Sequence, residues 1–371
     1  MACKEVCPTR AIEKQEDARG FLTPVIQSDL CIDCGACRQV CAYSADEADR
    51  SAVRSAYAFQ LSSPEQLRLS TSGGAFTALS NLILRDGGVV AGAIMDGDFF
   101  VHHDLARNEA ERDRMRLSKY VQSDTDGIFG RVRNCLDGGQ AVLFVGTPCQ
   151  CAQLRRYLGK THHNLLICDF ICHGVPGNHL FRDHIGQLEK AYGKKAVNYS
   201  FRGKRYGWDH GIDEVTFSDG MGRDTKDIQL YTHFFQENLS LRESCLSCKY
   251  RGAERCSDIT MADFWGHEKI LGRTDRRGLS LVTANTEKGQ AILERINAAG
   301  KLTAVPVERI LDRFTVSPAG DIPSRDQFWA TYQQGGYPAL LTRYGHVSGK
   351  SKLIFEIKKA GKKARLLLSK R

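Results

Sequence analysis

No run of about 18 apolar residues occurs anywhere in this 371-residue chain, so no membrane-spanning helix is expected. No secretory leader pattern is visible at its start, although a start at an internal Met would hide one. Beyond two short cysteine runs there is no internal repeat. The body also lacks net charge. The chain sums to +9, but residues 350–371 hold nine Lys or Arg against Glu356 and account for +8 of it. A body near +1 is not a nucleic-acid-binding surface by charge, and no nucleic-acid partner is expected. The cysteines near the start do not pair as two C-x2-C knuckles across a long spacer, the usual pattern of a structural zinc site.

What the chain does have is cysteine, fourteen in all, within a composition ordinary for a globular protein. Without secretory features, that number points to metal or redox chemistry in a reducing cytoplasm rather than a disulfide framework. Cys31-Ile-Asp-Cys34-Gly-Ala-Cys37-Arg-Gln-Val-Cys41 has the C-x2-C-x2-C-x3-C spacing that wraps an iron–sulfur cube. Cys3-Lys-Glu-Val-Cys7-Pro8 is the back half of the same motif. In two-cluster ferredoxins the fourth Cys of each run ligates the other cluster. Cys7, Cys31, Cys34 and Cys37 are therefore expected to close one 4Fe–4S site. Cys3 and Cys41 would belong to a second site that lacks two ligands. Met1-Ala2 fits the gap before the third Cys of the first run, so the numbering is expected to begin late.

The length allows two or three domains. Residues 1–45 read as a ferredoxin-type domain, incomplete at its start, and the polar, Ala/Ser-rich residues 46–70 read as a connector. From about 71 the pattern alternates between helix and strand, which predicts an α/β body with a mixed sheet. Ala75–Arg85 has helical periodicity and Val89–Met95 is an apolar strand. Further strands are predicted over 141–145, 165–171, 279–284 and 302–307, and helices over 150–158 and 287–298. The body divides into 71–160 and 161–330. Residues 331–371 form a basic tail in which Leu353, Ile354, Ile357, Leu367 and Leu368 alternate with lysines. That pattern suits peripheral contact with an anionic membrane face, and a frayed basic terminus has the same composition.

Two cysteine-bearing turns follow apolar strands, Gly146-Thr147-Pro148-Cys149-Gln150 and Cys172-His173-Gly174-Val175-Pro176, and loops at strand carboxyl ends are where α/β sheets bind ligands. With the Cys245-Leu-Ser-Cys248 pair they supply Cys149, Cys172, Cys245 and Cys248 as a candidate ligand set. Cys151, Cys168 and Cys256 are rivals, and buried thiols without function are common. Ser70-Thr71-Ser72-Gly73-Gly74 opens the helix at Ala75, where backbone N–H groups make either a phosphate cradle or a simple N-cap. Of the histidines, His102, His103, His162 and His163 read as surface or turn residues. His173 stands beside a candidate ligand.

Taken in order, Ser72-Gly73-Gly74, Ser118-Lys119-Tyr120-Val121-Gln122-Ser123, the two cysteine turns, Phe201-Arg202-Gly203-Lys204 with Gly207-Trp208, Cys245-x-x-Cys248 and Ser257-Asp258-Ile259-Thr260 with Asp263-Phe264-Trp265-Gly266 resemble the beta subunit family of coenzyme F420-reducing hydrogenase and F420-linked dehydrogenases. The resemblance runs from the ferredoxin run to about residue 310. It implies an iron–sulfur oxidoreductase with FAD in its α/β body, passing electrons between 4Fe–4S clusters, the flavin and a hydride acceptor or donor. F420 is one candidate acceptor, a substrate of polysaccharide synthesis another. It implies a redox partner, either ferredoxin or a hydrogenase/dehydrogenase subunit. It also places Ser72, Gly73, Gly74, Lys119 and Tyr120 near the flavin, makes Arg202 and Lys204 a basic pair for phosphate or substrate carboxylate, and favours Cys149, Cys172, Cys245 and Cys248 as ligands of a body cluster. Two other readings stand beside this one: a non-catalytic electron-transfer subunit and a zinc-stabilised structural protein. The expected location is the cytoplasm or the inner face of its membrane.

Overall fold

The computed structural model describes residues 1–44, 50–208, 211–315 and 322–345, with Ala360 alone beyond them. In the cysteine-rich region, strands β1 (Ile12–Glu16) and β2 (Leu22–Ile26) pair antiparallel, with Ile12 opposite Ile26. Short helices Ala2–Glu5 and Ala36–Val40 flank the hairpin and pack on each other. Two strands and two single-turn helices bury little by themselves, so this region leans on the body. Ala2 and Val40 enter an apolar cluster with Phe129 and Leu154, and Phe21 packs edge-on against Trp329.

The body holds β3 (Ser55–Leu61), β4 (Val89–Met95), β5 (Val101–Ala106), β6 (Val142–Val145), β7 (Leu165–Phe170), β8 (Ala196–Gly203), β9 (Ile212–Phe217), β10 (Gly222–Arg223), β11 (Ile259–Asp263), β12 (Ser280–Ala284) and β13 (Gly300–Val305). Eight of them form one mixed sheet in the order β13-β3-β12-β11-β7-β6-β4-β5. Its centre is parallel, from β4 through β6 and β7 to β11, and both flanks are antiparallel. The parallel strands β4, β6 and β7 are apolar almost throughout because both faces are covered. Helices Ala75–Arg85 and Glu287–Ile296 cover one face, and Ile128–Asp137 and Pro148–Leu158 the other. The remaining strands form a small antiparallel sheet, β10-β9-β8. It packs with helices Asn178–Tyr192, Leu230–Gln236 and Pro323–Tyr344 around Phe181, Phe201, Tyr231 and Phe328.

The mixed α/β architecture agrees with the sequence reading, and two boundaries need correction. Residues 46–70 are no mere connector, since β3 is an inner strand of the large sheet between β13 and β12. Its small residues, Ala56 and Ala58, are buried where neighbouring layers approach closely, which disguised the strand as polar filler. Residues 331–345 are not tail. They complete the helix to Tyr344, kinked at Gly336 before Pro338, and bury Tyr332, Tyr337 and Leu340. Residues 350–371 and their expected membrane contact lie outside the described residues, Ala360 excepted. Among the described residues no helix is long and apolar enough to cross a membrane.

The cysteine-rich region is fixed to the body by polar contacts as well as apolar ones. Gln122 acts as a two-point clamp: its Oε1 accepts from Leu22 N–H at 2.8 Å and its Nε2 donates to Leu22 carbonyl at 3.0 Å. Lys14 reaches Asp124 at 2.6 Å, and Glu5 Oε2 accepts from Gly130 N–H at 2.6 Å. Gln122→Ala would strand two backbone groups in a buried place, at a cost of about 1–3 kcal/mol. The expected outcome is faster hydrogen exchange across β2 with the body sheet unchanged, read by mass spectrometry.

Candidate functional site

The carboxyl ends of β6 and β7 open onto a cavity of about 680 Å³ at the junction with the cysteine-rich region. That is the usual place for a ligand in an α/β sheet, and the volume lies in the range of cofactor pockets. Cys149 sits in the first turn of helix Pro148–Leu158, which begins with a capping box of Thr147 and Gln150. Cys172 follows β7 by two residues. Cys245 lies in the single turn Glu243–Leu246, and Cys248 just past it. All four line the cavity, as do Cys3 and Cys41.

The four body thiols are close enough to perturb one another. Burial pushes Cys172 far above the ordinary thiol value, and the charges of Cys245, Cys149 and Cys248 add to it. Burial, then Cys149, raises Cys245 to about 11. Cys248 is raised by burial and by Cys149. Such thiolates repel one another unless a cationic centre neutralises them, which is the chemistry of a metal-cluster ligand set. The three rivals are placed otherwise. Cys151 is fully buried and points at the Gly146 and Cys168 carbonyls, and Cys168 is a core residue of β7. Cys256 does not line the cavity; it is buried with Ala42, Ala152 and Tyr250 in an apolar group against which Cys149 and Cys248 pack.

Cys7, Cys31, Cys34 and Cys37 lie away from the cavity, with Cys31 and Cys34 exposed. Burial raises the Cys7 thiol, but hydrogen bonds from Thr9 and from the Ala11 N–H together bring it below its usual value. A zinc ion needs its ligands about 2.3 Å from one point. Among the described residues no three His, Cys, Asp or Glu are gathered in that way.

At the other end of the cavity stands the start of helix Ala75–Arg85. Ser72 and Gly74 line it, but Gly73 does not. The Ser72 hydroxyl donates to Leu279 carbonyl at 2.5 Å. A Cβ on Gly73 would lie 2.0 Å from Phe59 carbonyl, so sheet packing alone requires glycine there. The N–H groups of Ala75, Phe76 and Thr77, all on the cavity wall, find no partner among the described residues. They suit an anion.

Lys119 and Tyr120 line the wall between the two ends. Lys119 Nζ donates to the carbonyls of Met115 at 3.2 Å and Arg116 at 2.8 Å, and desolvation lowers it to about 7. Tyr120 stacks on Phe235 with ring centroids 4.7 Å apart. Arg202 and Lys204 are not the free basic pair expected. Arg202 is ion-paired to Asp263 and lies over the Trp265 ring. Lys204 is off the cavity, bonded to the Leu67 and Ser72 carbonyls at 2.9 and 2.7 Å.

Sequence reasoning missed several lining residues. Arg242, Arg251 and Arg313 are scattered in sequence and carry no motif. His103, read as a surface residue, is buried in the wall, where it stacks on Phe144 and bonds Ser123 at 2.7 Å. Burial lowers it to about 4, so it is neutral at pH 7.

The Lys119 shift has a definite sign. Between about 7 and the ordinary lysine value the unfolded chain holds a proton that the folded chain lacks. Stability attributable to this group therefore rises with pH across that window, by on the order of 1 kcal/mol per pH unit. Urea unfolding at pH 7 and 9 should show this rise in the native chain relative to Lys119→Met, in which the contribution is absent.

Residues 139–310 match the model of the C terminus of the coenzyme F420 hydrogenase/dehydrogenase beta subunit, and residues 1–45 match a 4Fe–4S dicluster domain. No curated protein matches the chain. Among solved structures, a xenon derivative of the F420-reducing NiFe hydrogenase complex from Methanosarcina barkeri is similar at 14% identity, covering 79% of this chain and 93% of that one, with a TM-score of 0.47. The chain thus joins a 4Fe–4S dicluster domain to a region of the coenzyme F420 hydrogenase/dehydrogenase beta subunit type, the make-up of an iron–sulfur electron-transfer protein.

Proposed function

We propose that the chain is an iron–sulfur flavoprotein oxidoreductase that moves electrons between 4Fe–4S clusters, FAD and a small hydride acceptor or donor. The observation that carries this reading is one cavity with two chemistries. Six cysteines line it together with the start of helix Ala75–Arg85, several cations and aromatic rings. A bound FAD would supply conversion between hydride transfer and single-electron transfer.

The residues divide accordingly. Cys7, Cys31, Cys34 and Cys37 hold the outer cluster, and Cys3 and Cys41 contribute to the next. Cys149, Cys172, Cys245 and Cys248 hold the body cluster. The helix start after Ser72 and Gly74 receives phosphate, and the Tyr120–Phe235 stack provides a flat apolar wall for a ring system. Lys119 Nζ holds or releases a proton near neutral pH. Arg202, neutralised by Asp263, acts by holding Trp265 at the cavity rather than by binding phosphate. The acceptor is coenzyme F420 or another small molecule, one from polysaccharide synthesis included.

A redox partner protein meets the exposed Cys31–Cys34 face, where Leu30 and Ile32 are also exposed beside Asp29 and Asp33. Apolar exposure at a cluster edge with an acidic rim fits a partner with a basic rim. The reactions belong in the cytoplasm, where reduced thiols persist.

Two measurements test the reading. In anaerobically purified protein, Cys172→Ser should lower iron by about four per chain, the content of one cube, and Cys256→Ser should leave it unchanged. The reverse result would move the ligand. Denaturation of the native protein should release FAD. Full cluster content without any flavin would overturn the flavoprotein and leave the electron-relay subunit.

A further inference from the structure

Cys149 differs from the other three body thiols in what bonds its sulfur. Cys172 accepts from the backbone N–H of Gly174, Cys245 from that of Val175 and Cys248 from that of Tyr250. Cys149 Sγ lies 3.2 Å from a side-chain hydroxyl, Thr147 Oγ1. Thr147 is the N-cap of helix Pro148–Leu158, and the capping box fixes its orientation from two sides. Its N–H donates to Gln150 Oε1 at 2.9 Å, and its hydroxyl oxygen faces the Gln150 N–H. With the oxygen turned to the helix, the hydroxyl hydrogen is left to point at Cys149. Between a neutral thiol and a hydroxyl, either group could donate. A thiolate that ligates iron has no proton, so in the loaded protein the Thr147 hydroxyl is the donor.

We propose that Thr147 is a positioning residue that holds up the reduction potential of the body cluster through Cys149. The inference rests on the reading above in which Cys149, Cys172, Cys245 and Cys248 hold that cluster. Reduction brings one electron from the outer clusters or the flavin, and no bond is made or broken. The added negative charge spreads onto the ligand sulfurs. A hydroxyl aimed at one of them stabilises the reduced state more than the oxidised one, and hydrogen bonds to sulfur are among the levers that set cluster potentials. Thr147 is thus more than a helix cap. The residue that starts the helix also sets how readily the cluster beside it accepts an electron.

Anaerobic redox titration of the full-length, cluster-loaded protein, followed by electron paramagnetic resonance, tests this. The signal missing from Cys172→Ser marks the body cluster. Thr147→Val removes the hydroxyl and keeps the shape. It should move the reduction equilibrium of that cluster roughly tenfold toward the oxidised form, about 59 mV for one electron, the scale of a hydrogen bond to a charged group. Thr147→Ser keeps the hydroxyl and should keep the native potential, and the outer-cluster potential should stay put in both. A residue that only caps the helix would lower the thermal midpoint of Thr147→Val and leave its potential native. That result, or equal shifts in Thr147→Val and Thr147→Ser, would overturn the proposal. If Thr147→Val loses the body cluster, Thr147→Gly takes its place, because glycine is a good N-cap without a hydroxyl. The same fall in potential there supports the proposal. A native potential, or loss of the body-cluster iron there too, overturns it. If Cys172→Ser removes neither signal nor iron, the four-thiol cluster fails first, and the role of Thr147 falls with it.

Discussion

The Arg255–Asp169 ion pair holds the site together. Both side chains are almost wholly buried, and Nη2 lies 2.9 Å from the carboxylate. Asp169 is in β7, three residues before Cys172. Arg255 also donates to the carbonyls of Tyr250 and Gly252, in the loop after Cys248, and to that of Phe170. One guanidinium therefore sets the cysteine loop against the strand that delivers Cys172. Its backbone pairs with Ser51 in both directions, which anchors the same loop to the segment leading into β3. Removing one partner of a buried pair leaves an uncompensated charge and commonly costs about 3–5 kcal/mol. Here the cost would fall on the cavity wall as well as on stability.

From that anchor the cysteine-rich region is held in register with the body. The Tyr250 hydroxyl donates to Ala42 carbonyl, and Arg156 donates to Gln39 carbonyl at 2.9 Å. These bonds and the Gln122 clamp bring Cys3 and Cys41 to the same cavity as the body thiols. A region this small has too little apolar surface to stand alone, so docking and cluster placement are one structural problem. The fold solves it by lending Ala2, Val40 and Phe21 to two body cores.

The elements legible in the sequence were those with a strong local period. Helix Ala75–Arg85 and strand β4 have the limits their patterns predict, and the buried runs of β6 and β7 differ by one residue at an end. What failed was structure held by distant partners. Strand β3 alternates Ala56 and Ala58 with Tyr57 and Phe59 within a polar, Ala/Ser-rich stretch, and its place in the sheet comes from pairing with β12 and β13. The small sheet and its three helices exist through an aromatic core whose members, from Phe21 to Tyr337, are spread over the chain. In the site, cysteine spacing was informative because a cluster needs several thiols at short range. The assignment of Ser72, Gly73 and Lys204 to phosphate was less secure, because small and basic residues satisfy backbone groups just as often. Gly73 answers to Phe59 carbonyl, and Lys204 to two carbonyls of the loop.

The two ends of the cavity are out of balance with opposite signs. At the cysteine end, burial first and neighbouring thiolates second raise Cys172 and Cys245 above the ordinary thiol value. At the helix end, unpaired donors and cations lack an anion. Arg242 and Arg251 stand between, on the cysteine side. Arg251 is committed to Cys245 carbonyl, so it fixes the loop. Neither imbalance can be relieved by the protein alone, because the Arg202–Asp263 and Arg255–Asp169 pairs already use carboxylates of the wall or just behind it. Both ends share one wall, so whatever orders that wall for the first ligand lowers the ordering cost for the second. In the reading proposed above, a cluster would neutralise the thiols and an anion would pair the helix donors, so each would add stability to the chain that holds it.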